Sequence, residues 1–341
     1  MNIIIILILI IIIYFFQSQS NSDDKKISIN KLNTLLLLNK SNTAKALHID
    51  EIKSTSFLGS LFTLENMENV PLDIGNFFCI YFSKLGYSFK NGDDFAYDIN
   101  QENEFLKHLP TKIPYDPIIG NSLKYIPHNI FNIGFDGTWV CDNNNIYDFW
   151  IILKPLINNI LNEAFIKADL QIKTQYPVIH FRCSDVPFIK HFHYHIVKYQ
   201  FYLDALNELK TKNINTETVN LLACFSHLAT GENKKHCNIY IESLNNFLIK
   251  NGYKVNIICN SNIDDFALLF YAPAVISLGS SYSFMSGFFG NGIFISEGHF
   301  DERITESSSC NKCNWLKNSY TLLHKNVGSY HDSENIIKLL N

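Results

Sequence analysis

Two periods of apolar residues run along this chain, and the change between them divides it. After Gln171, strand-length apolar runs recur: Tyr176–Phe181, Val219–Phe225, Lys254–Cys259, Ala274–Leu278 and Ile293–Ser296. Short, nearly continuous runs of this kind are what a strand buried on both faces requires. Helical patterns separate them: Tyr194–Lys212, His236–Lys250 closed by Asn251-Gly252, Asp264–Tyr271, and Tyr282–Phe289 stopped by Gly290. The alternation predicts βαβ units, hence an α/β fold with a parallel sheet covered by helices on both faces.

The earlier part of the chain reads differently. Phe78, Tyr81, Phe82, Leu85 and Phe89 fall on one face of a helix that follows Leu72-Asp73-Ile74-Gly75-Asn76 and stops at Asn91-Gly92-Asp93. Phe95–Tyr97 reads as a strand, and residues 101–145 as loop-rich, with Pro110, Pro114, Pro117 and Pro127. Asp148–Lys167 returns to a helix, which Pro155 must bend or whose true start it must mark. At the amino end Ile3–Phe16 is uninterrupted apolar sequence, followed by polar Gln17–Asp24. A full bilayer span needs about 20 apolar residues. The run therefore reads as a signal-peptide core, with Ser18 and Ser20 before a cleavage site, or as a short signal anchor. Residues 1–20 are taken as that segment, 21–45 as a stem carrying the sequon Asn39-Lys40-Ser41, 46–170 as an N-terminal domain and 171–341 as a C-terminal domain. The expected setting is the secretory pathway, membrane-associated or secreted.

Composition narrows the classes. Of 341 residues 47% are hydrophobic and 18% charged, enough for a large core and against global disorder. The net charge is −4 with no basic stripe, which argues against a nucleic-acid partner. Several of the eight cysteines lie in apolar runs and read as small core residues. Cys310-Asn-Lys-Cys313 is the lone C-x-x-C; it is either a disulfide in an oxidising compartment or two reduced thiols on a loop. No second ligand pair lies near it, so no metal is expected.

Ligands of open parallel sheets bind beyond the carboxyl ends of the strands. Three such ends carry polar chemistry. The first is His180-Phe181-Arg182-Cys183-Ser184-Asp185, where Arg182 can grip two phosphate oxygens at once or form a structural pair with Asp185. The second, Asn260-Ser261-Asn262-Ile263-Asp264-Asp265, caps a helix or offers a carboxylate to a base or ribose. The third, Gly279-Ser280-Ser281-Tyr282-Ser283, enters a helix and suits an anion. His191, His193 and His195 alternate and read as polar lining of a cleft or as surface histidines, with no carboxylate or cysteine spaced to complete a metal site.

Together these ends resemble the fucosyltransferase superfamily, the α1,2-, α1,6- and protein-O-fucosyltransferases. The family's H-x-R-x-x-D signature is matched by His180, Arg182 and Asp185; a second arginine frequent in the family is Cys183 here. The family's nucleoside-contacting acid corresponds to Asp264 or Asp265, its serine-rich turn to Ser280, Ser281 and Ser283, and its Gly-Asn turn to Gly75-Asn76 without the usual glutamine. The resemblance covers about residues 70 to 300. It implies two Rossmann-like domains facing a donor cleft, the GT-B arrangement, with 46–170 on the acceptor side. It further implies inverting, metal-independent transfer of fucose from GDP-fucose to a glycan or protein hydroxyl. Arg182 would hold the β-phosphate, and Asp185 or His193 would take the acceptor's proton. The rivals are a transferase of the same architecture with another nucleotide sugar, and a catalytically inactive glycan- or nucleotide-binding module.

Overall fold

The computed structural model describes residues 74–99, 103–126, 144–183, 188, 196–224, 231–278, 280–297, 313–316 and 329–341. The N-terminal apolar run, the stem, Asp185, His193 and Cys310 lie outside the described residues. Among those described, no helix is long and apolar enough to cross a membrane.

A six-stranded parallel sheet forms the centre. Its strands are β3 (Val178–His180), β4 (Thr218–Leu222), β5 (Lys254–Ile258), β6 (Ala274–Ser277), β7 (Ile293–Glu297) and β8 (Cys313–Leu316). They lie in the order β5-β4-β3-β6-β7-β8. The α/β class and the five expected strands are present; the sixth, Cys313–Leu316, was not expected, because its four residues include only two large apolar ones. The chain first builds outward from β3 to β5, then returns to the other side of β3 with β6. That is the doubly wound order, with its switch point between β3 and β6.

Strand periodicity sorts the apolar residues between the two faces. Val178, Leu222, Val275 and Phe294 join one core, and Ile179, Leu221, Ile276 and Ile295 the other. The first face is covered by α1 (Ile74–Asn91), α3 (Asn144–Lys167) and α6 (Asn262–Tyr271). The second is covered by α4 (Gln200–Thr211), α5 (Gly231–Lys250) and α8 (Ser333–Leu340). Phe78 of α1 stacks on Phe266 of α6 with ring centroids 5.0 Å apart, and Phe165 of α3 lies 5.1 Å from Phe270.

Residues 74–170 thus join the sheet's own core. Besides α1 and α3 they supply the antiparallel ribbon of β1 (Phe95–Ala96) with β2 (Lys112–Ile113), and α2 (Pro117–Leu123), capped by Asp116. They add no second parallel sheet among the described residues. Pro155 does not mark a helix start: α3 begins eleven residues earlier and carries the proline on an exposed position. α4 begins at Gln200 rather than Tyr194, and Tyr282–Phe289 is one α-turn, α7 (Ser281–Ser283), running into a π-helical segment, Phe284–Phe288. α5 closes at Gly252, whose φ of 90° suits glycine.

Candidate functional site at the sheet crossover

The switch point brings the first and third polar strand ends together. His180 of β3 stands in register with Ser277 of β6, and Ser277 with Ser296 of β7. All three sit in phase with the face covered by α1, α3 and α6. They form a polar row at the carboxyl edge, directly above the apolar layer of Val178, Val275 and Phe294. The Nδ1 of His180 is 3.4 Å from Ser277 Oγ, and Ser277 Oγ is 2.5 Å from Ser283 Oγ. Ser283 also donates to the Ser280 carbonyl at 3.3 Å. Ser277, Ser283 and Ser296 are wholly buried, and the Ser296 hydroxyl has no hydrogen-bond partner among the described residues. This row was missed in the sequence. Its signal is there: each of the three strands places a polar residue near its end, in the phase of the buried positions.

Burial, with the charge of Arg182 second, holds His180 down to a pKa of about 3. His180 is therefore neutral near pH 7, and the positive charge at this strand end belongs to Arg182, just past β3 and half-buried. Arg182 lies two residues beyond His180, at the same end of β3.

The Gly75-Asn76 turn arrives at the same place. Asn76 Oδ1 accepts from Ser281 Oγ at 2.8 Å. A Cβ on Gly75 would lie 2.5 Å from the Tyr282 backbone nitrogen and 2.6 Å from its Cα. Only glycine lets the first turn of α1 approach the Ser281–Tyr282 backbone so closely.

Tyr282 links the crossover to the second strand end. Its ring packs 5.2 Å from Phe266 and 5.7 Å from His180, and its hydroxyl donates to the Asn262 carbonyl. Burial, then the charges of Asp265 and Asp264, push its phenol far up, so it stays protonated. In the β5–α6 loop Ser261 is the N-cap, accepting from the Asp264 backbone at 3.2 Å and donating to the Asp264 carboxylate at 2.7 Å. Asp265 is buried; Asn260 donates to it from its backbone at 3.2 Å and from its side chain at 2.9 Å. Burial raises the Asp265 pKa, against the lowering by these hydrogen bonds. The capping reading of this cluster is therefore realised by Ser261 and Asp264, while Asp265 pins the loop.

Of the expected site residues the structure gathers His180, Arg182, Gly75, Asn76, Ser280, Ser281 and Ser283 at the crossover. Asp264 and Asp265 lie one loop away, joined through Tyr282. Ser280 and Ser283 are buried, so they shape the turn from within.

Four of the eight cysteines form two disulfides, pairings not expected from the sequence. Cys183–Cys237 joins the end of β3 to α5, with Cα atoms 5.5 Å apart. Cys224–Cys259 joins the ends of β4 and β5, with Cα atoms 5.0 Å apart. Separations of 54 and 35 residues hid both pairings in the sequence. Cys224, Cys259 and Asp265 bring two sulfurs and a carboxylate oxygen within 4.8 Å. Joined in a disulfide, those sulfurs are not thiolate ligands.

Comparison of the chain with family models, curated proteins and solved structures gave no match.

Proposed function

We propose that this chain is a glycosyltransferase that takes its sugar from a nucleotide donor, GDP-fucose by the motif resemblance, and passes it to a glycan or protein hydroxyl. One observation carries the reading. At the switch point of a doubly wound sheet, Arg182 follows the end of β3 and the Ser280–Ser283 turn follows the end of the adjacent β6, with His180 and Ser277 in register between them. That is where such sheets hold nucleotide ligands. The motif residues Gly75-Asn76 close on the same turn, with Asn76 205 positions from Ser281 in sequence.

In the proposed reaction the acceptor oxygen attacks the anomeric carbon as the bond to the β-phosphate breaks, inverting the centre. Negative charge grows on the departing diphosphate, and the fork of Arg182 takes two of its oxygens. Neutral His180 cannot add charge; it braces the turn through Ser277. Asp264 or Asp265 would meet the nucleoside, and Asp185 or His193 would receive the acceptor proton. The transfer is metal-independent in this reading. In this reading 46–170 supplies the acceptor side, its described part sharing the sheet's own core with Asn76 against Ser281. Two disulfides support a place in the secretory pathway, an oxidising compartment.

A second reading, an inactive nucleotide- or glycan-binding module, is favoured by one feature. The position where the family often carries a second arginine is Cys183, spent in a buried disulfide.

Calorimetric titration of GDP into wild type, Arg182→Lys and Arg182→Ala tests the donor site. Wild type should bind, and Arg182→Ala should lose about 2–5 kcal/mol of binding free energy. Arg182→Lys should also be impaired, because lysine keeps the charge and loses the fork. No binding by wild type, or unchanged affinity in folded mutants, removes the donor-site assignment. GDP binding without turnover on any acceptor selects the second reading.

A further inference from the structure

The two disulfides differ in everything that governs thiol exchange. Cys183 and Cys237 are 1% and 0% exposed, enclosed between β3's end and α5. Cys259 is exposed, Cys224 is half-buried, and behind them lies the buried Asp265 carboxyl. The Cys224 sulfur is 3.0 Å from Asp265 Oδ2. The Asn260 side-chain amide holds the other oxygen, Oδ1, at 2.9 Å, and its backbone N–H reaches both oxygens at 3.2 Å. Among the described residues β5 is the edge strand of the sheet, with no strand outside Cys259.

We propose that Cys224–Cys259 is a redox-active disulfide that exchanges with low-molecular-weight thiols, with Asp265 giving and taking the proton of Cys224. Access decides which sulfur is attacked, and the ease of departure of the other sets the rate. A thiolate RS⁻ attacks the exposed Cys259 Sγ. The R–S–Cys259 bond forms and the Cys259–Cys224 bond breaks. The electron pair leaves on Cys224 Sγ, which takes a proton from the Asp265 carboxyl. The result is a Cys224 thiol donating to an Asp265 carboxylate across the observed 3.0 Å contact. A second RS⁻ attacks the R sulfur of the mixed disulfide and frees Cys259 as a thiolate, which is then protonated from water. Two thiols are oxidised to RSSR and one protein disulfide is reduced to two thiols. In the oxidising direction Asp265 removes the Cys224 proton and so makes it the nucleophile.

A carboxyl can hold that proton here because burial raises its pKa, with the like charge of Asp264 adding to the effect and Asn260 opposing it. The groups facing it are Cys224 from the end of β4, Asn260 from its own loop, Asp264 from α6 and the protonated Tyr282 phenol from α7.

The full chain is equilibrated with reduced and oxidised glutathione, and each cysteine is read by differential alkylation and mass spectrometry. The Cys224–Cys259 pair should exchange at least about tenfold faster than Cys183–Cys237, since access limits attack. Cys224→Ser should trap glutathione on Cys259. Asp265→Asn should slow exchange severalfold and flatten its pH dependence beyond that of glutathione's own ionisation. Equal exchange of the two disulfides overturns the proposal. So does faster trapping on Cys224 in Cys259→Ser than on Cys259 in Cys224→Ser, or an Asp265→Asn rate profile identical to wild type. Should Asp265→Asn fail to fold, the wild-type profile decides: a rate that follows glutathione ionisation alone, with no second inflection, overturns the role of Asp265. The readout is thiols, so its result is independent of nucleotide binding.

Discussion

The crossover between β3 and β6 and the edge formed by β4 and β5 lie on the same rim of one sheet, yet they gather opposite kinds of chemistry. At the crossover, flanking strands on both sides and α1 above enclose the polar groups: Ser277 and Ser283 are buried and His180 is held neutral. At the edge no described strand lies outside β5, and Cys259 reaches solvent while Asp265, against the Cys224 sulfur, stays inside. Equivalent positions on a rim therefore do not imply equivalent roles. Enclosure fixes hydrogen bonds among His180, Ser277 and Ser283, whereas a half-open site leaves a covalent bond accessible to solvent.

The largest expected effect separates the two regions by their disulfides. Replacing both Cys183 and Cys237 by serine should cost about 2–5 kcal/mol of stability, from lost loop constraint and from polar groups left in an apolar enclosure. The same change at Cys224 and Cys259 should cost less, because the lost constraint is similar but the new hydroxyls meet solvent or Asp265. Urea unfolding of the two double variants measures the difference. A reversed order would break the comparison.

Acid should also tell the regions apart. His180 has a folded pKa of about 3, below its unfolded value, so the unfolded chain binds the proton first. Its contribution is complete above the unfolded value of about 6.5 and declines as pH falls from there towards about 3. Asp265 runs the other way: its pKa is raised in the folded state, so its contribution falls as pH rises from about 3.9 through the folded value. Unfolding free energies measured from pH 7 to 4 should therefore fall less steeply in His180→Gln than in wild type. Asp265→Asn removes a contribution that grows as pH falls, so it should steepen the decline towards acid. Parallel curves for His180→Gln and wild type would count against an enclosed, neutral imidazole.

The smallest effect sharpens the crossover alone. Ser281→Ala removes one hydrogen bond to Asn76 and should cost about 1 kcal/mol. Thermal denaturation measures it. A loss several times larger would mean that the junction of α1 with the β6 loop depends on more than this contact and the close approach at Gly75.

The motif residues at the first and third strand ends were legible because each sits where a short apolar run stops, and runs of that length have few alternatives to a buried strand. Asn76 needed the resemblance to be noticed at all. The polar row of His180, Ser277 and Ser296 went unseen because it exists only across strands: each residue is an ordinary ending of its own run.

By itself the sequence determined the elements and the α/β class. These follow from local periodicity, which neighbours a few residues apart impose on one another; of the described elements, five of the six parallel strands and the α-helices other than α2 and α8 came from it. Tertiary structure alone decided the strand order β5-β4-β3-β6-β7-β8, and with it the crossover that sets the end of β3, before Arg182, beside the end of β6, before Ser280–Ser283. It also decided that residues 74–170 share the sheet's core through α1 and α3, and that Cys183 finds Cys237 while Cys224 finds Cys259. The physical reason is the same in each case. Which face meets which, and which sulfur meets which, depends on burying apolar surface between elements tens of residues apart, and no local pattern records that pairing.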